Sequence, residues 1–153
     1  NAIEDQFAKV YDEHVLREAK LFDGVSEFLH YWPRRLAIVS NKPERYIHRL
    51  LKHLKLDHIP WVAIIGGDTL SERKPHPLPL QNAIRAAGCS ASETVMVGDG
   101  PPDIGVSIAC KTHLLAVSFG YSPLSELQSL GAQHWIDHFN ELPRKITQLE
   151  SYD

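Results

Sequence analysis

Two aspartates four positions apart, Asp99 and Asp103, are the best candidates for chemistry in this sequence. Asp99 follows an apolar run with strand character at residues 95–98, and Asp103 opens a segment with helical character. Open α/β sheets bind their ligands at the carboxyl ends of the strands, where such a turn lies. A structural role is the alternative, because an aspartate is also favoured near a helix N-terminus. Neighbouring carboxylates suit a hard cation, so the pair predicts a Mg²⁺ site.

Ser40 and Asn41 lie at the end of a second apolar run, which begins at residue 36. A hydroxyl next to the free N–H groups of a following helix makes a good phosphate cradle. Taken alone, the two residues are better explained as a helix start, because Ser and Asn are preferred caps. In that role Asn41 caps the helix and Glu44 completes a capping box.

Lys74 lies in a loop at residues 71–79 that contains three prolines at alternating positions. Proline restricts the backbone, so this loop is stiff enough to hold a side chain in place. A lysine held near a phosphate neutralises the charge that develops in phosphoryl transfer. The alternative is a solvated surface lysine, the commoner fate of any single Lys. Asp68 and His76 are weaker candidates, the first expected in a turn and the second solvated or structural.

Strands and helices alternate along residues 36–150, which predicts an α/β fold: a Rossmann-like parallel sheet with helices on both faces. The predicted strands lie at residues 36–40, 62–66, 94–97, 113–117 and 134–136. Their continuous apolar runs are typical of strands that are covered on both faces. Residues 3–19 have the spacing of an amphipathic helix, and residues 25–31 predict a shorter one. The candidate domain boundary lies near residues 21–23.

The composition is that of a globular protein and argues against several classes of function. The 153 residues suffice for one domain, and a net charge of −3 gives no support for binding nucleic acid or a membrane surface. No apolar run approaches the roughly 20 residues of a membrane span. The nine histidines are scattered along the chain and the two cysteines form no Cys-x-x-Cys pair, so no transition-metal site is predicted. Two isolated thiols fit a cytoplasmic protein.

Three segments, in this order, resemble motifs of the haloacid-dehalogenase-like (HAD) phosphatase superfamily, and within it those of phosphoglycolate phosphatases. IVSNKP at residues 38–43 is similar to the second motif, GGDTLSERKPHP at 66–77 to the third, and VGDGPPD at 97–103 to the fourth. The third match is long and specific, whereas the second alone is weak. The likeness extends from about residue 21 to residue 149.

The resemblance implies hydrolysis of a small phosphorylated metabolite, of the 2-phosphoglycolate or sugar-phosphate type, with Mg²⁺ as cofactor. In this family an Asp-x-Asp motif supplies the nucleophile, which forms an aspartyl-phosphate, and the general acid and base. Ser40, Asn41 and Lys74 correspond to phosphate-binding positions. Lys74 and Asp103 correspond to catalytic residues, and Asp99 and Asp103 to metal-binding residues.

The sequence departs from this family in one major respect, since it contains no Asp-x-Asp. LFDGV at residues 21–25 is similar to that motif but lacks the second Asp and a preceding apolar strand. It is more similar to the family's Pro-Gly-Val segment, which precedes the strand of the second motif, with Asp23 in place of Pro. Gly100 occupies the position after the metal-binding Asp, where members of this family frequently have Ser or Thr. The resemblance therefore implies that residues 1–20 are the C-terminal part of a helical cap and residues 21–153 a HAD-like core without its first strand.

In this family the first strand lies between the strands that end at Ser40 and at Asp99. Without it, two strand edges are unpaired and their buried N–H and C=O groups lack partners. We therefore expect these residues to be the C-terminal part of a longer phosphatase, inactive alone. A missing N-terminal segment or a second chain would complete the sheet.

Two other classes of function are open. A non-catalytic phosphate- or metal-binding regulatory module would keep Ser40, Lys74, Asp99 and Asp103 without a nucleophile. An Asp-x-Asp segment before Asn1 would favour the enzyme, and a native start at Asn1 would favour the module. A relative of flavodoxin-like response regulators is disfavoured, because the Pro-rich loop around Lys74 has no role there.

Overall fold

A computed structural model describes residues 3, 10, 13, 14 and 16–150. The predicted helix at 3–19, and with it the cap assignment of residues 1–20, falls largely outside the described residues. Helices and strands alternate through the remainder, as predicted. In chain order the elements are α1 (Val25–Tyr31), β1 (Leu36–Val39), α2 (Glu44–His53), β2 (Trp61–Ile65), α3 (Leu78–Ala87), β3 (Val95–Gly98), α4 (Pro101–Cys110), β4 (His113–Val117), α5 (Leu124–Ser129), β5 (Trp135–Ile136), a 3₁₀ turn (Phe139–Glu141) and α6 (Leu142–Glu150).

The strands pair in parallel, as predicted, but the described residues form two sheets rather than one. β1 pairs with β2, while β3, β4 and β5 form a second sheet in that order. No ladder joins β1 to β3 in the described part of the chain. The break therefore lies where the sequence predicts an absent strand.

Helices cover both faces of the larger sheet. Each helix packs on the sheet through one apolar stripe. Alternate residues of β4 point to opposite faces. Leu115 packs in a cluster with Ile146 of α6, whereas Ala116 packs in a cluster with Ile104 of α4 and Leu127 of α5. The smaller sheet is covered by α2 through an analogous cluster.

Two helices, α1 and α3, cross the break and connect the two sheets through side-chain packing. Leu80 of α3 clusters with Met96 of β3, and Val39 of β1 packs against the same cluster. On the opposite face, Leu29 of α1 packs with the β1–β2 side and Phe28 with the β3–β5 side. The two sheets are therefore held together by apolar contacts where backbone pairing is absent.

β1 is less buried than its apolar sequence predicts. Ala37 is exposed and the other three residues of the strand are half-buried. β4, which is paired on both sides, buries its last three residues. Helices nevertheless pack on both faces of β1, as predicted for the run at 36–40, since Ile38 packs with the α2 cluster and Val39 with the α3 cluster. The burial is incomplete because β1 borders the break in the sheet.

The loop around Lys74 is shorter than predicted. α3 already begins at Leu78, with Pro79 in its first turn, where a missing N–H costs little. Gly88 ends this helix with a φ of 64°, as predicted. Within the described ranges, no helix has the length and apolar character needed to cross a membrane.

Candidate active site

The turn from β3 to α4 holds the two predicted carboxylates together. Asp103 Oδ2 accepts hydrogen bonds from the backbone N–H groups of Asp99 and Gly100, at 3.0 and 3.1 Å. Asp103 is buried in the first turn of α4, where the helix dipole also favours a negative charge. This residue therefore fixes the shape of the turn.

Gly98, the last residue of β3, allows this turn to close. A Cβ at Gly98 would lie 2.3 Å from the Cβ of Asp103, which is closer than any real contact. Gly100, two positions further on, has ordinary space: a Cβ there would lie 3.5 Å from Pro102 Cδ. The two glycines therefore differ in what an added methyl group would do.

We expect Gly98→Ala to lower the free energy of unfolding by about 1–3 kcal/mol, because the added methyl group must displace Asp103. The matched control is Gly100→Ala, which should change that free energy by less than about 1 kcal/mol. Urea denaturation of both variants measures the difference. Equal losses would show that the close approach at Gly98 does not matter.

Lys74 forms a buried ion pair with Asp103. Lys74 Nζ lies 2.5 Å from Asp103 Oδ1, and the two side chains are 9% and 10% exposed. The alternative of a solvated surface lysine is therefore wrong. Since Lys74 follows β2 and Asp103 follows β3, this pair links the carboxyl ends of the two sheets across the break.

Asn41 connects the loop after β1 to the lysine loop. Its Nδ2 donates to the carbonyl oxygen of Lys74 at 2.9 Å. Its Oδ1 is buried and accepts no hydrogen bond from the described residues. A buried acceptor without a donor costs about 1–3 kcal/mol. This oxygen can therefore accept a hydrogen bond from a further N–H or O–H group.

The predicted capping box of Asn41 and Glu44 is wrong. α2 has Pro43 at its N-cap position and no capping side chain there. Instead, Asp68 Oδ1 accepts the Glu44 N–H at 2.8 Å, from the turn that follows β2. Gly66 permits this approach, since a Cβ there would lie 2.4 Å from Glu44 N. Asp68 thus has a structural role, and the amide of Asn41 is available to hold Lys74.

The Ser40 hydroxyl is suitably placed to donate a hydrogen bond. Ser40 Oγ accepts the N–H of Lys42 at 3.1 Å, and the Ser40 N–H donates to Ile65 O at 2.9 Å. The hydroxyl proton has no acceptor among the residues that the structure describes. It can therefore donate to an oxygen of a bound phosphate.

Asp99 is held from the other side by the loop after β4. Tyr121 N–H donates to Asp99 Oδ2 at 2.9 Å, and Ser122 N–H donates to the Asp99 carbonyl at 3.1 Å. Gly120 allows this contact, since a Cβ there would lie 2.2 Å from Asp99 Cβ. From the sequence, residues 120 and 121 were expected only to form a loop. The feature of the sequence that could have indicated this contact is Gly120, a glycine shortly after the end of a predicted strand.

A continuous set of contacts joins most of the predicted site residues: Asn41 to Lys74, Lys74 to Asp103, and Asp103 to Asp99. Ser40 joins this set only through its neighbour along the chain. His76 does not join it through a hydrogen bond, since its Nδ1 accepts the Leu78 N–H at 3.1 Å. The predicted structural role of His76 fits this bond.

A Mg²⁺ ion fits one part of this arrangement. Asp99 Oδ1 accepts no hydrogen bond from the described part of the chain, and the residue is partly exposed. Both oxygens of Asp103 already accept hydrogen bonds. Nowhere in the described ranges do three or more His, Cys, Asp or Glu side chains form a group that could hold a metal. Asp99 can therefore be one ligand of a site that needs others.

Known proteins of similar sequence carry phosphatase names. A phosphoglycolate phosphatase of Colwellia psychrerythraea is 35% identical over 139 residues, a match that covers 89% of this chain and 61% of that protein. A phosphoglycolate phosphatase of Rhodospirillum rubrum is 39% identical over 108 residues, covering 71% of this chain and 44% of that protein. The chain thus spans less than two thirds of the length of these relatives.

Solved structures share the fold. A predicted phosphoglycolate phosphatase from Haemophilus somnus has a TM-score of 0.83 at 27% identity, over 94% of this chain and 64% of its own. A haloacid dehalogenase-like protein from Agrobacterium tumefaciens has a TM-score of 0.84 at 22% identity, over 97% of this chain and 70% of its own, which shows the fold alone. Residues 1–117 match the family model of the haloacid dehalogenase-like hydrolases. The resemblance and the α/β fold predicted from the sequence are confirmed: the chain belongs to the haloacid dehalogenase-like hydrolase family.

Proposed function

We propose that this chain carries half of the active centre of a Mg²⁺-dependent phosphatase that acts on a small phosphomonoester, of the 2-phosphoglycolate or sugar-phosphate type. The observation that carries the proposal is the buried Lys74–Asp103 pair next to Asp99. The pair holds the positive charge of Lys74 at the carboxyl ends of the strands. Next to it, Asp99 Oδ1 is one available carboxylate oxygen. The names of the relatives support phosphoglycolate as the first substrate to test.

The residues of this chain bind and orient the phosphate. Lys74 Nζ provides the fixed positive charge, and the Ser40 hydroxyl donates to a phosphoryl oxygen. Asp99 Oδ1 would hold the metal, and bound Mg²⁺ would neutralise charge on the phosphate. Asp103 positions Lys74 and the Asp99 turn, since its oxygens accept three N–H donors. A direct bond from Asp103 to the metal stays a prediction.

The nucleophile in this proposal comes from an Asp-x-Asp strand that inserts between β1 and β3. Three observations support it: these 153 residues contain no Asp-x-Asp, no ladder joins β1 to β3 among the described residues, and none of those residues donates to Asn41 Oδ1. The first Asp would attack phosphorus, and the alcohol of the substrate would leave with a proton from the second. Water would then release the phosphate. A segment of the same chain or a second chain can provide this strand.

The test uses the completed protein, which we define as these 153 residues preceded by the Asp-x-Asp segment of a phosphoglycolate phosphatase relative. Asp99→Asn should lower kcat for 2-phosphoglycolate at least about 100-fold at saturating Mg²⁺. Asp23→Asn is the matched control, because Asp23 is exposed and lies in the segment that only resembles the nucleophile motif. Loss of activity in the Asp23 variant alone would overturn the assignment.

The regulatory module is a second candidate, supported by the Ser40 hydroxyl and the Lys74 charge, which can bind a phosphate without a nucleophile. It would bind phosphate through Ser40 and Lys74 without hydrolysing an ester. Phosphate binding by the 153-residue chain alone, measured by titration calorimetry, combined with no release of phosphate from any phosphomonoester by the completed protein, would favour the module over the enzyme.

A further inference from the structure

Two histidines from different elements, His30 and His58, meet on the surface. Their Nε2 atoms are hydrogen-bonded at 3.0 Å, the ring centroids are 5.0 Å apart, and the ring planes are inclined by 40°. His30 belongs to α1 and His58 to the connection between α2 and β2, 28 positions later in the chain. Both side chains are exposed. The 28 positions between them in the sequence gave no sign of this pair, because the two residues meet only in the fold.

The tautomer of His30 follows from its second hydrogen bond. His30 Nδ1 lies 2.7 Å from the carbonyl oxygen of Ser26, one turn earlier in α1. A carbonyl can only accept, so Nδ1 carries a proton, and the Nε2 of the neutral His30 ring accepts a hydrogen bond from the Nε2–H of His58. A backbone carbonyl on the other ring nitrogen is the arrangement that usually orients metal-binding histidines.

We propose that His30 and His58 form a two-nitrogen site for a divalent ion of the Zn²⁺ type, separate from the phosphatase centre. Two imidazole ligands of a tetrahedral Zn²⁺, each about 2.0–2.1 Å from the ion, lie about 3.3 Å apart. The observed separation of 3.0 Å is close to this value, and exposed rings can make the small adjustment. The ion would take the place of the proton on His58 Nε2, and that ring would then carry its proton on Nδ1. Imidazole nitrogens select Zn²⁺ and its neighbours over Mg²⁺, which takes oxygen ligands.

Water completes the coordination. Among the described residues, no third His, Cys, Asp or Glu side chain joins the pair in a metal-binding group. A cavity of about 230 Å³, which both histidines line together with Arg34 and apolar residues, has room for the water molecules. Two protein nitrogens therefore set the affinity.

The ion would connect α1 to the segment before β2. α1 is one of the helices that cross the break between the sheets, and it also packs against both. A ligand that binds only the folded state stabilises it in proportion to its affinity and concentration. Zn²⁺ should therefore raise the midpoint of thermal unfolding through this pair of histidines.

The test is titration of the full chain with Zn²⁺, in excess Mg²⁺ so that oxygen sites are occupied, followed by calorimetry and by the unfolding midpoint. His30→Ala and His58→Ala should each weaken binding at least about tenfold and remove the rise in midpoint. Two controls should bind like the wild type: His53→Ala, an exposed histidine of α2, and Asp99→Asn in the candidate active site. This result does not depend on phosphatase activity.

Two results would overturn the proposal. One is unchanged Zn²⁺ affinity in both His30→Ala and His58→Ala, with circular dichroism showing that the variants are folded. The other is loss of binding in Asp99→Asn, which would place the ion at the carboxylates. His30→Gln and His58→Gln provide a second pair of variants that keep polar side chains, and they should also lose binding.

Discussion

Replacing Lys74 with methionine should lower the free energy of unfolding by about 3–5 kcal/mol, because it leaves the Asp103 carboxylate buried without its cation. The pair is almost fully removed from water, with 9% and 10% of the two side chains exposed. Asp103 cannot turn towards solvent, since Oδ2 is held by two backbone N–H groups. Urea denaturation of the Lys74→Met variant measures the loss.

A double variant distinguishes the effect of the buried charge on the free energy of unfolding from the effect of lost side-chain packing. In Lys74→Met combined with Asp103→Asn, the buried charge is removed, and the Asn oxygen can still accept the N–H groups of Asp99 and Gly100. We expect this variant to recover at least about half of the loss. Arg34→Met is the control for an exposed pair, since Arg34 and Glu150 are 55% and 46% exposed, and it should cost less than about 1 kcal/mol. Equal costs for Lys74→Met and Arg34→Met would contradict the account.

Backbone amides beside the break should change their exchange rates when the Asp-x-Asp strand is added. In the 153-residue chain, the amides of β1 and β3 that do not bond to β2 or β4 should exchange freely, because unpaired edges open easily. In the completed protein the added strand should bond to them and slow exchange by at least about 100-fold. Hydrogen–deuterium exchange followed by mass spectrometry measures this.

β4 is the internal control for the exchange experiment. It is paired with β3 on one side and β5 on the other, so its amides should be protected in both proteins. Protection of β4 together with rapid exchange of β1 and β3 would show a folded chain with an open break. Slow exchange throughout β1 and β3 in the chain alone would mean that their edges are already paired, contrary to the proposal.

Much of the fold was predictable because its signals are local. Each strand is a short apolar run, and the turns after the strands are rich in glycine or proline. The alternation of strand and helix could therefore be predicted from each segment alone, without knowing which segments it contacts. The turn at Asp99 and the lysine loop were found in the same way, since their residue types lie close together in the sequence. Their joining through Lys74 and Asp103 agrees with the resemblance to the HAD motifs.

The features that the sequence did not predict depend on partners far along the chain. Asp68 caps α2 from the turn after β2, a partner that a local capping-box pattern cannot reveal. Tyr121 holds Asp99 with a backbone N–H, which every residue except proline possesses. The exposure of Ala37 reflects the break beside β1, while the residue itself is as apolar as its neighbours.

The most direct test of the central claim is the rate of phosphate release from 2-phosphoglycolate, in the presence of Mg²⁺, by the 153-residue chain alone and by the completed protein. The account predicts no turnover by the chain alone and Mg²⁺-dependent turnover by the completed protein. Turnover by the chain alone would show that the nucleophile lies within these residues. A completed protein with protected β1 and β3 amides that releases no phosphate would contradict the assignment of this site to a phosphatase.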